Sequence, residues 1–308
     1  MKLRIGTRGS ALALAQSSDV AARLRAHGHD TELVIVSTTG DGVTDRAFAD
    51  VGAFGVFVRE LEVALLDGTI DAAVHSYKDV PSRMPLGLAI AAVPERIDAA
   101  DVLLVRREAL RSDRGALPVG TGASVGTSAT RRRALLQDAR PDLVPGLLRG
   151  NVPTRVRLLT DGKFDAIVLA AAGLARLARA DAEHRFTLAD DIVAVRLDPA
   201  TFVPAPSQGA IAVQVRENDQ AARAAVGALD DASCRRAVQA ERAALHLADG
   251  GCTLPFGAWC SVAPNGVLTL TTALGLDDGS IARSAATGTD PHAVAAAAWD
   301  GLSREVRA

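Results

Sequence analysis

His75, Lys78 and Asp79 fall within five residues of sequence, in the stretch "HSYKDVP" that directly follows the apolar, strand-like run "DAAV". An imidazole, an ammonium and a carboxylate this close can move protons or steady a developing charge, and open α/β sheets bind ligands at the ends of their strands. By spacing alone the stretch also reads as a polar loop with a local ion pair. Arginine outnumbers lysine 31 to 3, so a lysine at 78 points to a compact ammonium at that place. A second group is made of arginines at strand ends and helix starts: Arg8, Arg131, Arg132, Arg149, Arg155 and Arg176. Guanidinium forks grip carboxylates through paired hydrogen bonds, and Ser128 is placed to cap a helix N-terminus, which favours anions. Most arginines in so biased a chain are solvated surface, yet six at one kind of position suit a ligand bearing several carboxylates. The third feature is Cys252 in "ADGGCTLPFG", a thiol behind two glycines and three residues ahead of a proline, hence on a loop.

The elements that must position these groups follow a βαβ rhythm. "LRIGTR" reads as a strand, and Ser10 caps a helix through "ALALAQSSDVAARLRAHG" that its last glycine stops. "TELVIVST" is the next strand, and a glycine-bearing loop leads to the helix "VFVRELEVALLDG". Phe54 sits on that loop; loops of such length are often lids, and the ring either covers a ligand or packs against its own helix. "DAAVHSYKDV" and "LGLAIAAVP" add two strands. A second series starts near residue 100 with "VLLVRRE", "SVGTSATRRRALLQDA" and "LLRGN", then a helix opened by Pro153 and the strand "FDAIVLA". Proline-bearing segments, "VPER" and "FVPAPSQG", bracket this block, and "AIAVQVR" after them can return to the first sheet. The pattern predicts two α/β lobes of the kind found in periplasmic binding proteins, joined by two hinge crossings.

The tail differs in kind. A long helix over "DASCRRAVQAERAALHLA", the Cys252 loop, three strands joined by turns such as "DDGS", and a last alanine-rich helix predict a small α+β domain with an antiparallel sheet. The expected domains are 1–98 with 202–227, 99–201, and 228–308. Cys234 on a helical pattern and Cys260 on a strand pattern read as buried small hydrophobes. The three cysteines have neither zinc-site spacing nor the even count of a disulfide framework, so no metal is expected. A formal charge of −2 with both signs interspersed argues against a nucleic-acid or membrane-surface partner. The longest apolar run, "AIVLAAAGLA", is too short to span a bilayer, and no export signal is evident, so the expectation is a cytoplasmic protein. From the residues alone the reading is a polycarboxylate-binding α/β protein with an acid–base cluster and a separate loop thiol; a two-lobe binding protein for a small polycarboxylate fits it too.

"HSYKDVPS", "VGTSATRRR", "LRGNVPTRV", "DAIVLAAAGLARL", "PSQGAIAVQVR" and "GGCTLPFGAW", in this order, closely resemble the porphobilinogen deaminases, also called hydroxymethylbilane synthases. The likeness covers nearly the whole chain. It implies a transferase that condenses four porphobilinogens head to tail on a covalent dipyrromethane cofactor, and a monomer. It implies Cys252 as the thioether anchor, on a loop where glycines admit a bulky ligand, and Asp79 as the catalytic carboxylate. Arg8, Ser10, Lys78, Thr127, Ser128, Arg131, Arg132, Arg149, Arg155 and Arg176 match positions that bind acetate and propionate groups, and Gln208 matches a hinge glutamine given a structural role. Phe54 stands where many relatives have lysine, Ala129 where a hydroxyl residue is common, and Asp249 where glutamate is frequent.

Overall fold

The computed structural model describes residues 1–36, 56–180, 186–248 and 254–307. Contacts divide the chain into two compact units, Met1–Ile97 with Arg179–Arg185 and Gly209–Arg235, and Asp98–Ala178 with Phe186–Gln208 and Arg236–Ala308. The first unit opens with β1 (Lys2–Thr7), α1 (Ala11–Ala26), β2 (Asp30–Ile35), α2 (Val56–Leu66), β3 (Ala72–Ser76) and β4 (Leu88–Ala92). The second follows with β5 (Asp101–Arg106), β6 (Ser124–Gly126), α3 (Thr130–Ala139), β7 (Val144–Gly146), α4 (Val152–Thr160), β8 (Ala166–Ala170), α5 (Ala171–Arg179) and β9 (Ile192–Arg196). The chain then returns to the first unit with β10 (Ile211–Arg216) and α6 (Gln220–Gly227), runs through α7 (Ala232–Leu247), and ends in the second unit with β11 (Phe256–Val262), β12 (Leu268–Gly275), β13 (Ile281–Gly288) and α8 (Pro291–Arg307).

The two large sheets share one plan. The first has the order β2-β1-β3-β10-β4 and the second β7-β6-β8-β5-β9. In each, the first three strands are parallel and the fourth is antiparallel to its neighbours. That fourth strand, β10 or β5, is the one on which the chain enters from the other unit. Both are buried along five successive positions, as strands covered on two faces must be. These are two α/β lobes built on one strand plan. The third sheet, β11-β12-β13, is antiparallel, with α8 packed on it.

In the first unit, Leu3, Ile5, Val74 and Val213 meet α1 and α6 on one face. Leu61, Leu65 and Ile70 meet Ala73 on the other, where α2 lies. Gly6 allows the close approach of α2: a Cβ there would come within 3.0 Å of both Leu61 and Ile70 side chains. The amphipathic pattern of α2 puts Val58, Leu61, Glu62 and Leu65 inward, at helical spacing. In the second unit one face of the sheet, with Leu103, Val105 and Val168, packs against Leu135 and Leu136 of α3; the other packs Leu104 and Ile167 against Val156 and Leu159 of α4.

The strand "IVAVR" (β9) and helix α6 lie outside the elements anticipated from sequence. The helix after Arg149 begins at Val152 with Asn151 as its cap, so Pro153 is its second residue and not its first. "AIVLAAAGLA" divides into β8 and the start of α5, and no helix among the described residues is long and apolar enough to cross a membrane. Cys234 and Cys260 are buried, as expected of small hydrophobes.

The second unit is pinned by one carboxylate. Asp101 opens β5 with 0% exposure. Arg132 donates to its Oδ1 through Nε at 3.1 Å and Nη2 at 2.7 Å, Arg131 Nη2 donates to its Oδ2 at 2.8 Å, and Gln208 Nε2 reaches Oδ1 at 2.9 Å. Each guanidinium also donates to a backbone carbonyl, Arg131 to Val203 at 2.7 Å and Arg132 to Val168 at 3.0 Å. Burial by itself would raise the Asp101 carboxyl; the charges of Arg131 and Arg132 override it and hold it well below the usual carboxylate range. Close by, the buried Glu241 carboxylate accepts from the backbone of Ser207 at 2.6 Å and of Cys260 at 2.8 Å, tying the segment after β9 to α7 and β11. Ser207 takes a left-handed conformation, φ 64°.

Removing one partner of a buried ion pair leaves an uncompensated charge, so Asp101→Asn is expected to destabilise the protein by about 3–5 kcal/mol, read from the urea midpoint. Because the folded-state pKa lies below the unfolded value of about 3.9, this contribution is complete above that pH and drains away as pH falls through the folded value. Wild type should therefore lose stability more steeply than Asp101→Asn on acidification below about pH 4.

Candidate active site

In the first unit, β1 and β3 are parallel neighbours, so the residues after both emerge at one sheet edge. After β1 come Arg8, half-buried, and Ser10, whose extended backbone and hydroxyl cap α1 by accepting from Ala13 N at 3.3 Å. After β3 the chain makes a single 3-10 turn, Tyr77–Asp79, closed by Val80 N to Tyr77 O at 3.2 Å and anchored to β10 by Tyr77 N to Ala210 O at 3.1 Å. Arg8, Ser10 and Asp79 thereby line one recess of about 100 Å³. Lys78 lies half-buried on the same turn.

Gln16 lines this recess as well, and its amide exchanges hydrogen bonds with Ser76 at 2.9 and 3.3 Å. The sequence reading missed it. The available signal was a glutamine on the strip of α1 that also carries Val20 and Leu24, a core-facing stripe where Gln16 is 4% exposed. His75 also borders the recess. Burial pushes its pKa down to about 4, only partly opposed by a 3.0 Å hydrogen bond between Nε2 and Gln214, so the ring is neutral at ordinary pH.

In the second unit the ends of β6, β7 and β8 again share an edge, since the three strands are parallel. Thr127 and Ser128 follow β6. Thr127 is buried, donates its N–H to Gly146 O at 2.8 Å, and accepts from Ala129 N at 3.3 Å through its hydroxyl. The cap position of α3 is Ala129, whose side chain has no oxygen to offer; Ser128 stands one residue earlier, exposed, so the capping role expected of it does not hold. After β7 come the exposed Arg149 and Gly150, whose φ of 101° suits a residue without Cβ. Asn151 then caps α4 through Thr154 N at 2.9 Å, and Arg155 folds back to donate to Gly150 O at 2.7 Å. Arg176, half-buried on α5, follows β8.

The six arginines thus separate. Arg8 stands in the recess of the first unit; Arg149, Arg155 and Arg176 follow the strand ends of the second. Arg131 and Arg132, expected to face ligand carboxylates, are 4% and 6% exposed and hold the chain's own Asp101 instead. Gln208 joins them, in keeping with a structural role. Phe54 and Cys252 lie outside the described residues. Among the described residues no group of three or more His, Cys, Asp or Glu could hold a metal ion.

Among solved structures, the VFT2 domain of Bordetella pertussis BvgS aligns at a TM-score of 0.44 and 15% identity, over 79% of this chain and 91% of that one. The family model described as "Porphobilinogen deaminase, dipyromethane cofactor binding domain" matches residues 3–224, and that of the porphobilinogen deaminase C-terminal domain matches 235–303. Porphobilinogen deaminase of Lachnospira eligens is 44% identical over 96% of this chain and 96% of the relative. That of Syntrophobacter fumaroxidans is 44% identical over 90% and 85%, and that of Brevibacillus brevis 42% identical over 95% and 91%. With both domain models and full-length relatives in agreement, the chain belongs to the porphobilinogen deaminase family.

Proposed function

We propose that Asp79 is the catalytic carboxylate and Cys252 the cofactor anchor of a reaction in which four porphobilinogens and one water give 1-hydroxymethylbilane and four ammonia. The chain is a transferase of tetrapyrrole biosynthesis that uses a dipyrromethane cofactor and porphobilinogen as substrate. The observation that carries the residue assignment is the meeting of Asp79, Arg8 and Ser10 at one sheet edge. The donor set fits a group with several carboxylates and pyrrole N–H atoms: exposed or half-buried arginines at strand ends, a capped helix start at Ser10, and the Asp79 carboxylate in the same recess as Arg8 and Ser10. When bound, the dipyrromethane would supply the free pyrrole carbon to which the first unit is joined, each later unit adding to the one before it.

The remaining chemistry falls to the chain. As the substrate's aminomethyl carbon loses ammonia, positive charge spreads over its pyrrole ring. A fixed carboxylate at Asp79 stabilises that charge and handles the proton at the departing nitrogen. Arg8, Ser10, Lys78, Ser128, Arg149, Arg155 and Arg176 take the acetate and propionate groups. Arg131, Arg132 and Thr127, being buried on protein partners, act by holding the β6–α3 segment in place. The assignment of domains to 1–98 with 202–227, 99–201 and 228–308 is part of the same reading, supported by three sheets and by the gap between the two family models. So are a monomeric state, a cytoplasmic location, and the lack of a nucleic-acid or membrane partner, for which the near-balanced charge of −2 speaks.

Intact mass of the purified protein should exceed the sequence mass by two linked pyrrole units, with the adduct mapping to the Cys252 peptide. Cys252→Ala should lose it; an adduct on Cys234 or Cys260 would reassign the anchor. Asp79→Asn keeps the shape and removes the charge, so turnover should fall by about two orders of magnitude while porphobilinogen binding suffers less. Single-turnover ammonia release measures this, and a loss of only a few-fold would remove Asp79 from the chemistry.

A further inference from the structure

Three polar side chains are buried in the first unit on the sheet face covered by α2. In the β3–β10 ladder His75 pairs with Ala212 and Gln214 with Ala73, so His75 and Gln214 lie diagonally on one face. Glu62 comes down onto them from α2. Exposures are 5% for His75, 0% for Gln214 and 8% for Glu62. His75 Nε2 lies 3.0 Å from Gln214 Oε1, and Gln214 Nε2 donates to Glu62 Oε1 at 3.1 Å. The chain of contacts runs from a helix, through a buried amide, to the rim of the recess that holds Asp79.

Elementary donor and acceptor rules give this chain a direction. Gln214 donates its NH₂ to the carboxyl oxygen of Glu62, so it turns its carbonyl oxygen to His75. A carbonyl oxygen only accepts, so His75 Nε2 carries the hydrogen. The ring is neutral, and its Nδ1 then holds a lone pair. A group at 62 that could donate would allow the amide to turn over, present its NH₂ to Nε2, and move the ring hydrogen to Nδ1.

We propose that Glu62 and Gln214 are positioning residues that hold His75 as its Nε2–H tautomer, so that Nδ1 accepts a hydrogen bond from an N–H of porphobilinogen at the Asp79 recess. This rests on the reading of that recess as the reaction site. A neutral acceptor there meets a substrate N–H without setting a second negative charge beside Asp79, which would favour the protonated form of the catalytic carboxylate.

The test uses the full-length holoenzyme labelled with ¹⁵N-histidine. His75 of wild type should show a protonated Nε2 and an unprotonated Nδ1. Glu62→Gln, able to donate or accept, and Gln214→Met, able to do neither, should both give mixed tautomers. Each should lower kcat/KM for porphobilinogen roughly tenfold, the scale of one hydrogen bond, with the covalent adduct retained. His75→Gln keeps a donor toward Gln214 but lacks the Nδ1 acceptor, and should show the same loss. A wild-type ring with its hydrogen on Nδ1 overturns the proposal, and that measurement needs no variant to fold. Unchanged tautomer and unchanged kcat/KM in Glu62→Gln overturns it as well. Full turnover by Asp79→Asn would instead strike the reading of the recess, leaving the tautomer result to stand by itself.

Discussion

Asp101 carries its charge at a place where water cannot share it. An isolated carboxylate there would cost several kcal/mol and would neutralise itself instead. Two guanidiniums and an amide supply the missing solvation, and these ligands come from two separate stretches of chain: Arg131 and Arg132 from α3, Gln208 from the segment that leads back to the first unit. Satisfying one charge therefore fixes the start of β5, the seating of α3, and the path after β9 together. The Thr127–Ser128 edge, which depends on where α3 begins, inherits that precision. Glu241 repeats the device with backbone donors, holding Ser207 in its left-handed conformation against β11. Pairs of this sort bring modest net stability compared with a well-packed apolar substitute; what they add is intolerance of any other arrangement.

The elements that carry the site were legible because their signals are periodic. "VLLV" within β5 and "AIVLA" are continuous apolar runs and become central strands; "VFVRELEVALL" repeats at helical spacing and becomes α2. The cap at Ser10 is local chemistry that a sequence displays directly. β9 was not legible, because "IVAVR" is a short edge strand whose exposure alternates and whose partner β5 lies far back in the chain. α6 was missed for a related reason: "QAARAAVG" is eight residues, half of them alanine, with little pattern of its own.

Side-chain partners were the least legible. Arg131, Arg132 and Arg149 look alike in sequence, each beside a strand end, and only the fold shows that the first two meet Asp101, some thirty positions earlier. His75 lies four residues before Asp79, yet its ring answers to Gln214, 139 positions away. Long-range polar pairing leaves no periodic trace, so the sequence could name the residues of the site without naming the protein groups that hold them. The exception is Gln16, a buried polar residue on an apolar helix stripe, which is a local anomaly that can be read.

The first sheet has a consequence for synthesis on the ribosome. Its ladder next to β3 is completed by β10, where Ile211 pairs with Ser76 and Gln214 with Ala73. Until residue 216 has emerged, β3 and β4 share no neighbour, and the His75 side of the sheet stays open to solvent along an unpaired edge. The intervening stretch contains the strands and helices of the second lobe, so the nascent chain must carry an unfinished first lobe while the next is being made. Closing so long a loop is entropically slow, and exposed strand edges are the part of a growing chain most prone to mispairing. The topology thus makes the N-terminal lobe the late one: translated first, it is sealed only after the chain has come back.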